Sequence, residues 1–371
     1  MSTNKSRALS PAELEAFGAE LDAVQVNITA QVGAEDAAYI KRIWRLVRYS
    51  GALGRGLLFL GWLWPAWVLG TLLLAFSKIV ENMELGHNVM HGQYDWMNDP
   101  RFNGQSYEWD VVGTSDNWRY THNYKHHTYT NVQGVDDDIG YGVLRLFPEQ
   151  KWHPANLFQP LYAVIFSLLF QWGVAIQRLR IGRYFIGRIT GRGLYEEFKP
   201  TGRKIMRQLV KDYVFFPAIA LLLFVPVLPV LLGNLVANGL RNIWTHMIIF
   251  CGHFTADVEL FPKSVLQDES RGHWYLRQLH GSSNLTGSRF FHMMSGNLSH
   301  QIEHHLYPDM PSYRYAQAAE QVREICARYG QHYNTGPLWR QFGQVLWRIV
   351  RYSLPSPKAR KAPALVADET K

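Results

Sequence analysis

The sequence predicts an all-α integral membrane protein, with about four transmembrane helices and a histidine-rich helical cap on the cytoplasmic side. Three observations carry that prediction. Two blocks, around residues 46–85 and 213–254, are dense in apolar residues. The stretch from Arg178 to Lys211 is rich in lysine and arginine and poor in acids, the mark of cytoplasmic sequence beside a span. Three histidine clusters fall just outside the apolar blocks, where packing alone gives no reason for them.

Residues 1–45 are polar and lack the basic start and apolar run of a signal peptide, so a cytoplasmic segment is expected there. A bilayer core of about 30 Å takes roughly 20 apolar residues in a helix. The first block therefore fits a closely joined pair of spans at about 46–64 and 66–85, with Pro65 near the turn. The second fits spans at about 213–232 and 234–254, turning at Leu231-Leu232-Gly233-Asn234. A third apolar run, about 157–176, has polar or basic sequence on both sides. If the histidines before and after it meet at one site, that run lies in the interface or re-enters rather than spans. Residues 46–352 then form one membrane domain. The end, 353–371, is rich in Pro, Lys and Ala and reads as a disordered tail.

The formal charge of +8 suits anionic headgroups or a phosphorylated substrate, and no compact nucleic-acid module is visible, so nucleic acid is not an expected partner. Only two cysteines occur, Cys251 and Cys326, which excludes a disulfide framework and an iron–sulfur cluster on four cysteines. Any electron-transfer centre has to belong to another protein.

The first cluster is His87-Asn-Val-Met-His91, whose histidines share a helical face. The second is His122-Asn-Tyr-Lys-His126-His127. On an α-helix His122 and His126 share a face while His127 is rotated by about 100°, so one segment can serve two neighbouring metals. The third, His300-Gln301-Ile302-Glu303-His304-His305, repeats the doublet. A structural zinc site closes with four ligands, and this supply of imidazoles exceeds that, which points to two metals with open positions. Asp136, Asp137, Asp138 and Glu303, with Glu81 and Glu84, are the expected partners for the outer ring nitrogens.

These clusters, together with His126-His127-Thr-Tyr-Thr-Asn131, Asp136, Asp138 and Gln301-Ile-Glu-His-His305-Leu-Tyr-Pro308, resemble the membrane fatty-acid desaturase family over about residues 81–315. The third box, with Gln301, is most similar to the front-end and linoleoyl-type branch. The resemblance implies a fatty-acid desaturase with two histidine-ligated irons, O2, an acyl-CoA or acyl-lipid substrate, and two electrons from an external carrier. No His-Pro-Gly-Gly haem motif occurs, so a ferredoxin-type donor with its reductase is the expected partner. The implied ligands are His87, His91, His122, His126, His127, His304 and His305. His300 and Gln301 both stand where the family draws a further metal contact, and spacing does not choose between them. His253, in Cys-Gly-His-Phe-Thr, fits a ligand at the end of the preceding span, with His246 as competitor; His280 and Asn284 are expected to shape the site. His153, His273, His292 and His332 have no clear claim. A membrane hydroxylase is the rival among enzymes, and a histidine-rich metal transporter the rival outside them.

Overall fold

The computed structural model describes residues 6–177, 184 and 189–356. The basic stretch after Arg178 lies partly outside the described residues, and so does the expected tail from 357 onward. Among the described residues the chain is mostly helical, with one two-stranded parallel pair, β1 (Asn284–Thr286) on β2 (Thr335–Pro337).

The N-terminal segment is not loose. Helix α1 (Pro11–Thr29) starts at a capping box, in which Ser10 receives the Glu13 amide and Glu13 receives the Ser10 amide. Its Phe17, Leu21 and Ile28 are buried against Tyr275, Leu279 and Leu306. Helix α2 (Ala34–Leu58) crosses the boundary expected at 45 and ends before the first span expected at 46–64 would. Helix α3 (Trp64–Val80) follows, so the first block is indeed a hairpin, but its turn is at 59–63. The reason is Pro65. It sits in the first turn of α3, where a missing N–H is harmless, and so starts the helix instead of breaking it. Helix α3 runs on through a π-helical turn, Glu81–Gly86, into His87–Met90.

The third apolar run is not one continuous helix over 157–176 but two, α4 (Gln159–Leu168) and α5 (Phe170–Gln177), a form that a re-entering segment can take. The pair, with the turn from Pro154, is bent by 94°. The Asn242 amide donates to the Leu168 carbonyl freed at the bend (2.7 Å). Helix α6 (Gly191–Val210) passes through a π turn, Lys211–Phe215, into α7 (Phe216–Leu222). The break expected at 231–234 lies instead at 223–226, and α8 (Val227–His253) is continuous. Phe224 takes the left-handed conformation and Pro226 precedes the new helix, which together turn the chain. Gly233 serves packing: a Cβ there would meet Leu58 Cδ2 at 2.4 Å. Asn234 bonds back to the Val230 carbonyl (2.9 Å) and so does not open the helix.

Among the described residues, Trp64–Met90 is long and apolar enough to cross a membrane alone, and the bent pair passes only when its parts are joined. A buried ion cluster ties these elements. Asp212 accepts from Arg55 of α2 (2.9 Å), Lys78 of α3 (2.8 Å) and Asn238 of α8 (3.1 Å). Breaking one partner of such a cluster leaves an uncompensated charge. After α8 come α9 (Arg271–His280), α10 (Gln301–Leu306), α11 (Tyr315–Arg328) and α12 (Leu338–Ser353).

The α2–α3 hairpin closes at Gly54 and Gly70. A Cβ on Gly54 would lie 2.8 Å from the Leu74 nitrogen and 2.9 Å from the Gly70 carbonyl oxygen, both backbone atoms that cannot swing away. Gly54→Leu is expected to lower stability by about 1–3 kcal/mol or more. Thermal unfolding in detergent checks this, and an unshifted midpoint would contradict the packing described.

Candidate metal centre

The cap brings most of the sequence-predicted ligands together from five places: the end of α3, a π helix at Arg119–His126, the end of α8, the helix α10, and the residue after the π helix. Two groups form. His87, His91, His122 and His304 make one, and His126, His253 and His305 the other; in each, one ring nitrogen per residue lies within 4.8 Å of all the rest. His122, His126 and Asp138 form a third such set that joins the two.

A π winding turns less per residue than an α-helix, so His126 and His127 flank His122: His127 Nε2 lies 3.3 Å from His122 Nε2, and the His126 ring stacks on His122 at 5.1 Å while its Nε2 lies 3.2 Å from His253 Nε2. The His127 ring stacks on His305 at 4.3 Å. Gln301 lies with its amide nitrogen 3.0 Å from His253 Nε2 and its Oε1 unpartnered. His300 is not brought in. Its ring stacks on His292 at 4.7 Å, 4.0 Å from Glu303. His246 also stands apart, against the Phe250 ring at 4.0 Å.

What holds the rings is a set of outer hydrogen bonds. Asp136 accepts from His126 Nδ1 (2.9 Å), and Asp138 lies 3.4 Å from His122 Nδ1. His87 Nδ1 faces the Asn88 carbonyl (3.0 Å), and His253 Nδ1 donates to the Gly281 carbonyl (3.0 Å). His305 Nδ1 reaches Gln278 Oε1 (3.1 Å), and His304 Nδ1 reaches the Tyr315 hydroxyl (3.1 Å). With Nδ1 the donor, each Nε2 turns an unshared pair inward. Burial, and then the neighbouring imidazoles, hold His122, His127, His304 and His305 well below the usual histidine range, so these rings are neutral near pH 7. For His126 burial acts the same way, but the charge and hydrogen bond of Asp136 outweigh it and the net shift is upward.

The arrangement fits metal ions. Inward Nε2 atoms face one another at 3.0–3.3 Å, and two acceptors that close repel unless a cation lies among them. Metal–imidazole bonds of about 2.1 Å at ordinary coordination angles separate neighbouring ligand atoms by about 3.0–3.4 Å. His91 and His304 each bury an Nε2 with no hydrogen-bond partner, as ligand atoms would.

Other expected residues have different work. Glu303 is held by Asn284 and Tyr333 (2.8 Å each) and faces no grouped histidine. Asn284 also receives the Ile302 amide (2.8 Å), anchoring α10. Glu84 accepts from Tyr39, Ser312 and Asn297 (2.9 Å each), and Glu81 from the Asp110 amide (3.0 Å), so both brace the cap. Asp137 pairs with Lys125. His280 meets Ser6 (3.2 Å), next to the carbonyl that orients His253. Gln278 and Tyr315 were missed. Neither lies in a histidine cluster, and no spacing rule singles out a lone Gln or Tyr.

Comparison with known proteins gives a consistent picture. A family model described as fatty acid desaturase matches residues 62–337. The NADPH-dependent stearoyl-CoA 9-desaturase of Mycobacterium tuberculosis is 44% identical over 353 residues, covering 95% of this chain and 83% of the relative. The sn-1 linoleoyl-lipid 6-desaturase of Synechocystis is 28% identical, over 75% of this chain and 78% of that protein. An acyl-lipid (8-3)-desaturase of Mortierella alpina is 27% identical, over 66% and 54%.

Asp136 also accepts the amides of Asn131 and Asp138 (2.9 Å each), so it fixes both its histidine and the loop beside it. Asp136→Asn is expected to weaken metal retention by about 10–100-fold, the usual effect of losing such a partner. Metal content after stepwise chelation checks it, and wild-type retention would contradict the orienting role.

Proposed function

The chain belongs to the fatty acid desaturase family, and from that premise we propose that it forms a double bond in a saturated acyl chain carried as a coenzyme A thioester. In this reading the two histidine groups would hold two irons, with Gln301 beside His253 and with His127, which falls in neither group but turns its Nε2 to His122 (3.3 Å), as further contacts. One O2 and two electrons are used per turnover, two hydrogens leave adjacent methylenes, and two waters form with two protons from solvent. When bound, the irons supply the oxidising power that no side chain has; position and dryness come from the protein.

The observation that carries the proposal is a cavity that ends on the imidazoles. Met83, Trp118, Phe170, Ile249 and Leu298 line it, and His87, His122, His126, His253 and Gln301 bound it. Apolar walls beside such ligands suit an unactivated hydrocarbon and exclude water from it. Trp118 stacks on His122 at 4.5 Å, so the indole is both wall and ring support.

A second cavity supports the thioester carrier. It shares Trp109 with the first and is lined by Arg48, Arg55, Lys78, Lys204, Arg207 and Lys211. Asp212, Glu108 and Asp110 engage four of these. Arg48 and Arg207 have no carboxylate partner among the described residues, and guanidinium groups so placed favour phosphate. Reducing equivalents arrive from NADPH through a separate ferredoxin-type carrier and its reductase, since two buried cysteines hold no cluster. Four spans cross the membrane with the cap on the cytoplasmic side; exposed apolar side chains at Leu63, Leu69 and Leu72 and again at Leu221, Leu228 and Leu235 support the spans, and the lysine- and arginine-rich sequence of residues 178–211 supports the side.

Expression in a host of known lipid composition, with mapping of new double bonds, tests the activity. An internal double bond in C18 chains is expected, absent with His126→Ala. An alcohol product would make the chain a hydroxylase, and product from the His126→Ala variant would refute the site. For the carrier, Arg48→Glu with Arg207→Glu is expected to raise KM for the acyl thioester about tenfold or more at little changed kcat, from the loss of charged hydrogen bonds. An unchanged KM would remove this cavity from substrate binding.

A further inference from the structure

Helix α12 has one wide apolar arc, and the protein buries only part of it. Val345 and Ile349 are buried in the cluster that includes Phe254. The rest of the arc presents Trp339 (78% exposed), Leu346 (47%), Trp347 (65%) and Val350 (47%), which at 100° per residue form one stripe. Arg340 and Arg351 follow along one edge of that stripe, neither with a carboxylate partner among the described residues, and the helix contains no Asp or Glu. The apolar arc of this helix is wider than the part the protein buries, so the remainder of it needs cover.

The cover can be identified from what adjoins it. The Gln159 amide donates to the Ile349 carbonyl (2.9 Å), which sets α12 against α4. There Phe158, Leu161, Val164 and Ile165 are 50–67% exposed, so the stripe continues onto a segment already apolar and outward-facing. The position is fixed as well. Gln344 accepts the Ala256 amide (2.9 Å) and Arg348 donates to the Ala256 and Val258 carbonyls (3.0 Å each), just past His253 at the end of α8. The helix is thus tied to the segment that directly follows His253. Tryptophan beside arginine, with no acids, suits the boundary between acyl chains and anionic headgroups.

We propose that α12 is an in-plane membrane-binding helix: its Trp339–Leu346–Trp347–Val350 stripe sinks into the leaflet on the cap side, and Arg340 and Arg351 contact anionic lipid phosphates. The proposal rests on the membrane reading above, and it adds the surface that sets how high the metal centre rides over the bilayer.

The test uses the full chain in nanodiscs containing lipids spin-labelled on the acyl chain. Cys251 and Cys326 are buried, so one fluorophore can be placed at Trp347→Cys, at Leu69→Cys on α3, or at Glu320→Cys on the exposed side of α11. The expected result is strong quenching at 347 and 69 and little at 320. With anionic lipid added, quenching at 347 should deepen, and Arg340→Glu with Arg351→Glu should abolish that gain. Quenching at 69 without quenching at 347 overturns the proposal and leaves the membrane reading intact; so does a symmetric cross-link between copies through Trp347→Cys. No quenching at either position refutes both. Unchanged anionic dependence in the double arginine variant removes the headgroup contacts.

Discussion

Nitrogen atoms that repel one another organise this molecule. Rings drawn from stretches of chain far apart in sequence turn their Nε2 lone pairs toward shared centres at 3.0–3.3 Å, inside the cap, where most of them are buried. Such a cluster is unfavourable on its own, because neutral imidazoles in a buried site gain nothing by facing each other. A cation at each centre reverses the sign of that interaction, and metal binding then becomes part of the folding free energy. Much of the surrounding fold serves to hold the rings at that spacing.

The support is layered. The π winding of residues 119–126 places His122 in one histidine group and His126 in the other, with His127 between them, its Nε2 at His122 and its ring stacked on His305. Helix α9 is the shelf beneath. Gln278 bonds His305 with one atom and the His127 carbonyl with the other (3.0 Å), while Arg277 holds the Thr128 carbonyl (3.0 Å). Helix α1 grips that shelf at close range, since a Cβ on Gly18 would come within 3.3 Å of the Gly272 backbone. The N-terminal segment thus contributes to the metal site without touching it.

The helical class, the hairpin in the first block and the meeting of the histidine clusters were legible from periodicity, apolar density and residue type. The partners Asp136 and Asp138 were legible too, because carboxylates close in sequence to histidines commonly brace them. Element limits were not. Pro65 starts a helix where a turn seemed due, and Gly233-Asn234 lies within α8 because glycine admits Leu58 and asparagine bonds its own helix. Both are decisions of tertiary packing. The choice between His300 and Gln301 was likewise closed to spacing arguments. The short helical turn at Leu298–His300 turns the His300 ring to His292 and the Gln301 amide to His253, a placement that spacing does not give. Gln278 and Tyr315 were invisible, since residues of any kind can stand behind a ligand.

Two cavities share Trp109 as a wall, one mainly apolar and ending on imidazoles, the other carrying six cationic side chains with Glu81, Glu108 and Asp110 among them, an arrangement that suits the proposed amphiphile with a charged head. That match has meaning only if metals occupy the histidine groups. Anomalous scattering from crystals of the iron-loaded protein, measured at the iron edge, tests this most directly. Two peaks are predicted, one among His87, His91, His122 and His304 and the other among His126, His253 and His305. A single peak, or none in protein that still turns over its substrate, would contradict the account.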